Sequence, residues 1–514
     1  MASSSGYDFS QIYHSSTLAF SPGTTFVASS HHNRLIVRSS ATLAIVRTWL
    51  CRPPFSPPAG SSSSSTSRKS DPKEDLEIDT LLWSADSLCL LAFSSEARTA
   101  WVFGLAEDGS GDSGEIARIG GEGAEGLVRV EWSRTGREVL AWSDFGLRLS
   151  IFSLSTGSAG VIQYPKSPTG CHTYSPTGRY LAVAERHSGK DHIGVYDTTA
   201  QYQLVRSFPL QTNDVQGISW SPCGKWLAVV DSHLSVFLHV HPLTYRATPL
   251  ALLPYLAGIL ADLDLELHLH LVNRGPRSGD PYDSMGAGRT LHRGWRMGRQ
   301  GAGAGERWMA VYCGDELGYE DSGEECLWRE PTDWLRDTRG RGIVQFDRLP
   351  VPCVLPTTRA DFTKATPRAG ILQVAFDNDA TLLLIRLETS PHVIHIHTFL
   401  PTPNAASPVM THLTSLIFTY PVKTAKWSPS GARRLAATTR SGAVYFWDAE
   451  GAWVDDGAEE ARGGMMEGVG VPSRVEFAAH DVQWAPDGTS LAVRDKSQFC
   501  ILYETEDDQD GPSR

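Results

Sequence analysis

The chain of 514 residues has no excess of positive charge. Lys and Arg number 46 against 58 Asp and Glu, a net charge of −12. Such a balance argues against nucleic acid or an anionic membrane as the main partner. Cysteine is sparse. The eight thiols (Cys51, Cys89, Cys171, Cys223, Cys313, Cys326, Cys353 and Cys500) are scattered and form no CxxC pair. Dispersed single thiols suit a reducing compartment better than a disulfide framework. The first residues, MASSSGYDFSQIY, have neither a basic n-region nor an apolar h-region, so no signal peptide is expected. No long hydrophobic run is free of charge. The most apolar stretch, 250–271, carries Asp262, Asp264, Glu266, His268 and His270, which argues against a membrane span. The expectation is a soluble cytosolic or nuclear protein.

Catalytic signatures are missing too. There is no Gly-x-Ser-x-Gly elbow and no Gly-x4-Gly-Lys-Ser/Thr loop. The run GAGAG from Gly301 follows no strand and opens no helix, so it reads as a flexible loop. Alternating histidines, His395-Ile-His397, His239-Val-His241 and His268-Leu-His270, each place two imidazoles on one strand face. Zinc needs three or four convergent ligands, and spacing identifies no third. These histidines therefore read as polar strand faces. Asp191, Asp197 and Asp448 fall at or beside strand ends, where aspartate orders turns by accepting backbone N–H bonds. No catalytic residue, cofactor or metal is assigned.

What is present is a repeated hairpin. WSPCGKWLAV from Trp220 reads as strand, tight turn, strand: Pro pre-sets φ and Gly supplies φ > 0. Its relatives are FSPGTTFVAS from Phe20, WSADSLCLLA from Trp83, WSRTGREVLA from Trp132, YSPTGRYLAV from Tyr174, FDNDATLLLI from Phe376, WSPSGARRLAA from Trp427 and WAPDGTSLAV from Trp484. The anchor aromatics lie 63, 49, 42, 46, 156, 51 and 57 residues apart. Discounting the Pro/Ser-rich run 52–72 of the 52–77 insert brings the first interval to about 42, close to the ~40–45 residues of a four-stranded propeller blade. Such a unit cannot bury its faces alone, and stacking blades solves that. The predicted fold is all-β, a WD-type propeller of seven to nine blades. A single ring is favoured over two propellers. An N-terminal strand near Phe9 to Tyr13 is expected to pair with the last strand near Phe499 to Tyr503.

The expected organisation is blades over 7–242 and 328–504, with an acidic disordered tail over 505–514. Between them, 243–327 lacks the expected hairpin and turns Gly/Arg-rich. It reads as a disordered insertion or as a frame-shifted stretch replacing a blade. Lys166, Arg186, Lys190, Arg206 and Lys225 make the middle repeats locally basic, either as scattered solvated charges or as a patch for an acidic partner. Trp142, Phe145 and Tyr202, on turns, are candidate partner anchors or packing residues.

The hairpins resemble WD-repeat proteins, although only Trp447-Asp448 is a literal WD dipeptide and Tyr196-Asp197 a variant. FSQIY from Phe9, WSADSL from Trp83, QYPK from Gln163, AERHSGKDHI from Ala184, WREPTDWL from Trp328 and FCILYE from Phe499 resemble a narrower family. That family is the centrosomal and spindle-pole-body WD-repeat proteins, which anchor microtubule minus ends. The resemblance implies a non-catalytic scaffold that acts with a coiled-coil spindle-pole adaptor and a minus-end-directed kinesin-14 type motor. It implies no nucleic acid, membrane or small-molecule partner. The alternatives are a translation-initiation or RNA-associated propeller and, from another class, a propeller-based enzyme.

Overall fold

The computed structural model describes residues 6–52, 76–105, 114–120, 126–210, 214–220, 226–231, 236–240, 246–250, 295–299, 308–312, 326–349, 354–358, 371–400, 409–450, 464–473 and 477–505. Most of the 52–77 insert, most of 243–327, the GAGAG run, Lys225, His241, His268, His270 and the tail beyond Thr505 lie outside the described residues. Almost every described element is a strand. The chain divides into two compact units, one spanning 14–265 and the other 1–13 with 266–514.

The 14–265 unit is a succession of five four-stranded antiparallel sheets, each taken in chain order. The first runs Thr17–Phe20, Phe26–His31, Arg34–Ser39 and Ile45–Leu50. The third runs Leu127–Trp132, Glu138–Ser143, Arg148–Ser153 and Ala159–Gln163, and the fourth His172–Tyr174, Tyr180–His187, Lys190–Asp197 and Gln203–Pro209. The central two strands of the first four sheets are largely buried, because neighbouring sheets cover both sides. Core clusters accordingly span successive sheets: Ala28, Leu35 and Val37 pack with Leu90, Trp101 and Phe103. Leu140 and Leu149 likewise pack with Leu181 and Val183.

Five of the described hairpins are closed by the same local chemistry. The residue after the anchor aromatic accepts, through its side chain, the backbone N–H five positions on. Ser21, Ser84, Ser133 and Ser175 do this for Phe26, Cys89, Glu138 and Tyr180 at 3.0, 2.9, 3.3 and 3.0 Å. Asp377 serves Leu382 at 2.9 Å. The fourth residue after the anchor is left-handed in six of the seven described copies of this turn, Gly431 being the exception. It is glycine at Gly136, Gly178 and Gly488, but Thr24 (φ 60°), Ser87 (φ 61°) and Ala380 (φ 54°) hold the same conformation with a Cβ. Relief of that strain exceeds the extra unfolded-chain entropy of glycine. Ala380→Gly and Ser87→Gly are therefore each expected to stabilise by up to about 1 kcal/mol, read as a raised urea midpoint.

In the other unit, the outer edges of two sheets are covered by a single segment, 326–349. Cys326–Arg329 adds in parallel to Val409–Ile417, and Ile343–Gln345 adds antiparallel to Met465–Gly470. Between them lies the short helix Trp334–Asp337. Gly468 permits this docking, since a Cβ there would sit 3.0 Å from the Trp334 ring. Exposed edges invite wrong pairing, and this segment removes two of them. The final sheet, Asp481–Trp484, Ser490–Arg494 and Gln498–Thr505, takes its fourth strand from the other end of the chain. Gly6–Phe9 pairs antiparallel with 502–505, and Tyr13–His14 also pairs with the last strand. The N-terminal pairing thus begins a few residues earlier than the sequence suggests. The reason is Tyr7: its ring stacks on Phe446 at 5.3 Å and its hydroxyl donates to Glu467.

Candidate protein-docking surface

The anchor aromatics link one sheet to the next. Trp83 donates its indole N–H to the Ala19 carbonyl at 3.0 Å, and Trp132 to that of Leu82 at 3.0 Å. Trp427 donates to Ala375 and Trp484 to Lys426, again at 3.0 Å. In each case the acceptor immediately precedes the previous anchor: Phe20, Trp83, Phe376 and Trp427. Tyr174 instead reaches the Tyr202 hydroxyl at 3.4 Å. The buried indole N–H of Trp220 has no hydrogen-bond partner among the described residues. These side chains hold sheets together and present nothing to a ligand.

The titratable residues are similarly occupied. The Asp191 carboxylate, fully buried, accepts from Lys166 at 2.6 Å, Arg186 at 3.1 Å and the Val215 N–H at 2.8 Å. Asp214 closes the group against Lys166 at 2.7 Å and Arg186 at 3.5 Å. Lys166 and Arg186 are therefore largely neutralised by two acids. Asp197 caps a short 3₁₀ turn by accepting the Thr199 N–H at 2.9 Å, and the Thr199 hydroxyl holds its carboxyl below the usual range. Asp448 accepts the Glu450 N–H at 2.9 Å. Burial raises the Cys51 and Cys500 thiols to about 12 and Cys171 to about 11, so none is a ready nucleophile.

Strand pairing supplies a third imidazole that spacing alone hides. His412 lies opposite His397, their rings 5.2 Å apart, and His395 is 6.3 Å from His412. The rings do not converge on one point. His395 and His412 both bond the Ser415 hydroxyl, at 2.9 and 2.8 Å. No group of three His, Cys, Asp or Glu among the described residues is arranged to hold a metal. Burial, with repulsion from His397, pushes the His412 pKa down to about 3 from its ordinary 6.5. Folding therefore excludes a proton that the unfolded chain binds, so stability is full above 6.5 and falls as pH drops through it toward 3. Between pH 7.5 and 5.5 this one group removes on the order of 1 kcal/mol. Urea unfolding at the two pH values is expected to show that loss in the native chain and not in His412→Gln.

One surface stands apart. The sharp turn 144–147 joins the second and third strands of the third sheet, and Phe145 at its tip is 95% exposed with φ 58°. Leu147, beside it, is 54% exposed. The Leu147 carbonyl accepts the Tyr164 N–H at 2.9 Å. Tyr164 is itself 51% exposed and left-handed, φ 56°. Its ring meets His187 edge-on at 6.0 Å, and His187 meets His192 at 5.3 Å. Gly146 is needed here, because a Cβ would lie 2.6 Å from the Pro165 carbonyl. Of the three candidate anchors on turns, only Phe145 faces solvent. Trp142 and Tyr202 are buried between the third and fourth sheets, Trp142 against His172 at 4.8 Å. A turn in sequence does not place its flanking aromatics outside, because the next sheet covers them. Tyr164 carries a weak local signal: it closes a strand and precedes Pro165.

Sheets of this type, repeated with this hairpin chemistry, define an all-β protein built of WD-type propeller blades. The chain is similar in sequence to WD repeat-containing proteins. It is 27% identical over 498 residues to the WD repeat-containing protein WRAP73 of Mus musculus, covering 94% of this chain and 92% of the relative. It is also 28% identical over 117 residues, 22% of this chain and 24% of the relative, to an uncharacterized WD repeat-containing protein of Schizosaccharomyces pombe. Among solved structures, the C-terminal WD40 domain of Sif2 is similar with a TM-score of 0.44 and 8% identity, over 96% of this chain and 98% of that one. No family model matches. No described helix is long and apolar enough to cross a membrane.

Proposed function

We propose that the chain is a non-catalytic scaffold of the spindle pole body or centrosome. In this reading it works with a coiled-coil adaptor and a minus-end-directed kinesin-14 type motor to anchor microtubule minus ends. The observation that carries it is a convergence. Two family-like segments, QYPK at 163–166 and AERHSGKDHI at 184–193, meet through the Pro165–Glu185 bridge and the Lys166–Asp191 pair. Around them lie the exposed Tyr164 and Phe145. Similarity to WRAP73 along nearly the whole chain supports the same reading. The buried Asp191 carboxylate and the His395 and His412 imidazoles are used in packing, which favours a platform for partners over an enzyme. The blades hold the surface rigid, and fold alone assigns no chemistry. Purification of the tagged chain from mitotic cells is expected to recover coiled-coil pole proteins and a minus-end-directed motor. Recovery of ribosomal subunits in their place would contradict the reading.

A further inference from the structure

Gly6 opens the N-terminal strand and lies directly opposite Thr505, the residue that ends the last strand. Its backbone is not left-handed, so conformation does not require glycine there. A neighbour does: a Cβ on Gly6 would overlap the Thr505 hydroxyl. That oxygen is therefore aimed across the pair at the N-terminal strand, and a group carried on it is aimed the same way. Among the described residues only this strand holds Thr505. The neighbouring strand Ser490–Arg494 pairs with the last strand no further than Tyr503, while Glu504 and Thr505 pair with Tyr7 and Gly6. Thr505 is half-buried, and its hydroxyl makes no hydrogen bond among the described residues. The last pair of a ladder frays at little cost, which brings such a hydroxyl within reach of an enzyme.

The residues that follow select the enzyme. Thr505 precedes Glu506, Asp507 and Asp508, with Asp510 close behind. A hydroxyl with acids at the next three positions suits a kinase whose substrate groove is basic, because such a groove reads charge pattern. The surroundings then oppose the product. A phosphothreonine carries about −2 at pH 7 and disrupts structure beside carboxylates. Side chains alternate faces along a strand, so Thr505 shares a face with Asp8, which is diagonal to it across the ladder. Asp8 is exposed and makes no ion pair among the described residues. Glu504 and Tyr7 take the other face, where Arg434 engages both. That guanidinium is thus committed on the side away from Thr505.

We infer that Thr505 is a phosphorylation site for an acid-directed serine/threonine kinase, and that its phosphate releases the strand Gly6–Phe9 from the last sheet. In the transfer, the Thr505 oxygen bonds to the γ-phosphorus of ATP. The bond from that phosphorus to the β,γ-bridging oxygen breaks, ADP leaves, and the hydroxyl proton passes to the kinase's base. The test treats the full chain with casein kinase 2 and ATP. The tryptic peptide 497–514 is expected to gain one phosphate, placed on Thr505 by fragmentation in the mass spectrometer. The melting temperature is expected to fall by about 5 °C or more as the strand leaves. Chymotrypsin, which cuts after aromatic residues, is expected to cleave after Tyr7 or Phe9 at least about tenfold faster than in the untreated chain. Thr505→Val keeps the shape of a strand residue and is expected to melt with the native chain. Treated in the same way, it should show neither the fall in melting temperature nor the faster cleavage. Phosphate confined to residues outside 497–514 would overturn the inference. So would a chain phosphorylated on Thr505 that melts and is cleaved like the untreated one, or an equal loss in treated Thr505→Val.

Discussion

Deleting residues 1–14 is expected to lower the melting temperature of the chain by about 10 °C or more, from a loss on the order of 5 kcal/mol. The N-terminal strand is one edge of the last sheet, four residues in register with 502–505. Past it, Ser10 donates its N–H to Ile501 at 2.8 Å and accepts the Ile501 N–H on its hydroxyl at 2.9 Å. Tyr7, Phe9 and Ile12 pack on the cluster that includes Phe446, Val482 and Leu502, and Tyr13 stacks on Phe499 at 5.3 Å. Removal also strips partners from buried charge. Arg434 donates to the Tyr7 hydroxyl at 2.5 Å and lies over Phe446, 4.8 Å from the ring centre. Glu467, raised in pKa by burial, loses the same hydroxyl. Tyr7→Phe keeps the stack and removes only the hydroxyl, so it should cost about 1–2 kcal/mol. A truncated chain that melts with the native one would show that the strand is dispensable.

The second large effect centres on Glu330. Its carboxylate is buried and accepts three donors: the Trp334 indole at 2.8 Å, the Tyr445 hydroxyl at 2.6 Å and the Thr419 N–H at 2.7 Å. Those donors belong to the edge-covering segment, the sheet ending at Met465–Gly470, and the chain leaving Val409–Ile417. One side chain therefore ties the segment to both sheets it covers. Glu330→Ala leaves three buried donors unpaired and is expected to cost about 3–5 kcal/mol. Glu330→Gln retains one acceptor oxygen, so its cost should be smaller, about 1–3 kcal/mol. Proteolysis should then begin near 338–342, where the segment is least covered. A Glu330→Ala chain within experimental error of the native stability would refute the role.

The hairpins were legible because their signal is local. Ser133-Arg-Thr-Gly136 and its relatives encode a turn within four residues, and the alternation on either side gives the strands. The N-terminal partner of the last strand was legible for a similar reason, as a short β-rich run at the opposite end of the chain. What sequence could not show depends on distant pairing. WREPTDWL carries a clear resemblance, yet nothing in it says that Cys326–Arg329 runs parallel to Val409–Ile417. His412 joins His397 only because the ladder register sets them face to face. Burial divided Trp142 from Phe145, three residues apart, through the position of the fourth sheet. Phe145 could be singled out from sequence, while the backbone bond between its neighbour Leu147 and Tyr164 belongs to the folded state.

These features describe one kind of molecule. Trp-to-carbonyl bonds knit successive sheets, and a strand and an edge-covering segment close exposed margins. Such a frame suits the platform role proposed above. The most direct test is live imaging of a fluorescent fusion expressed from its own promoter through mitosis. The account predicts a focus at each spindle pole from early mitosis to exit. A diffuse signal throughout would contradict it.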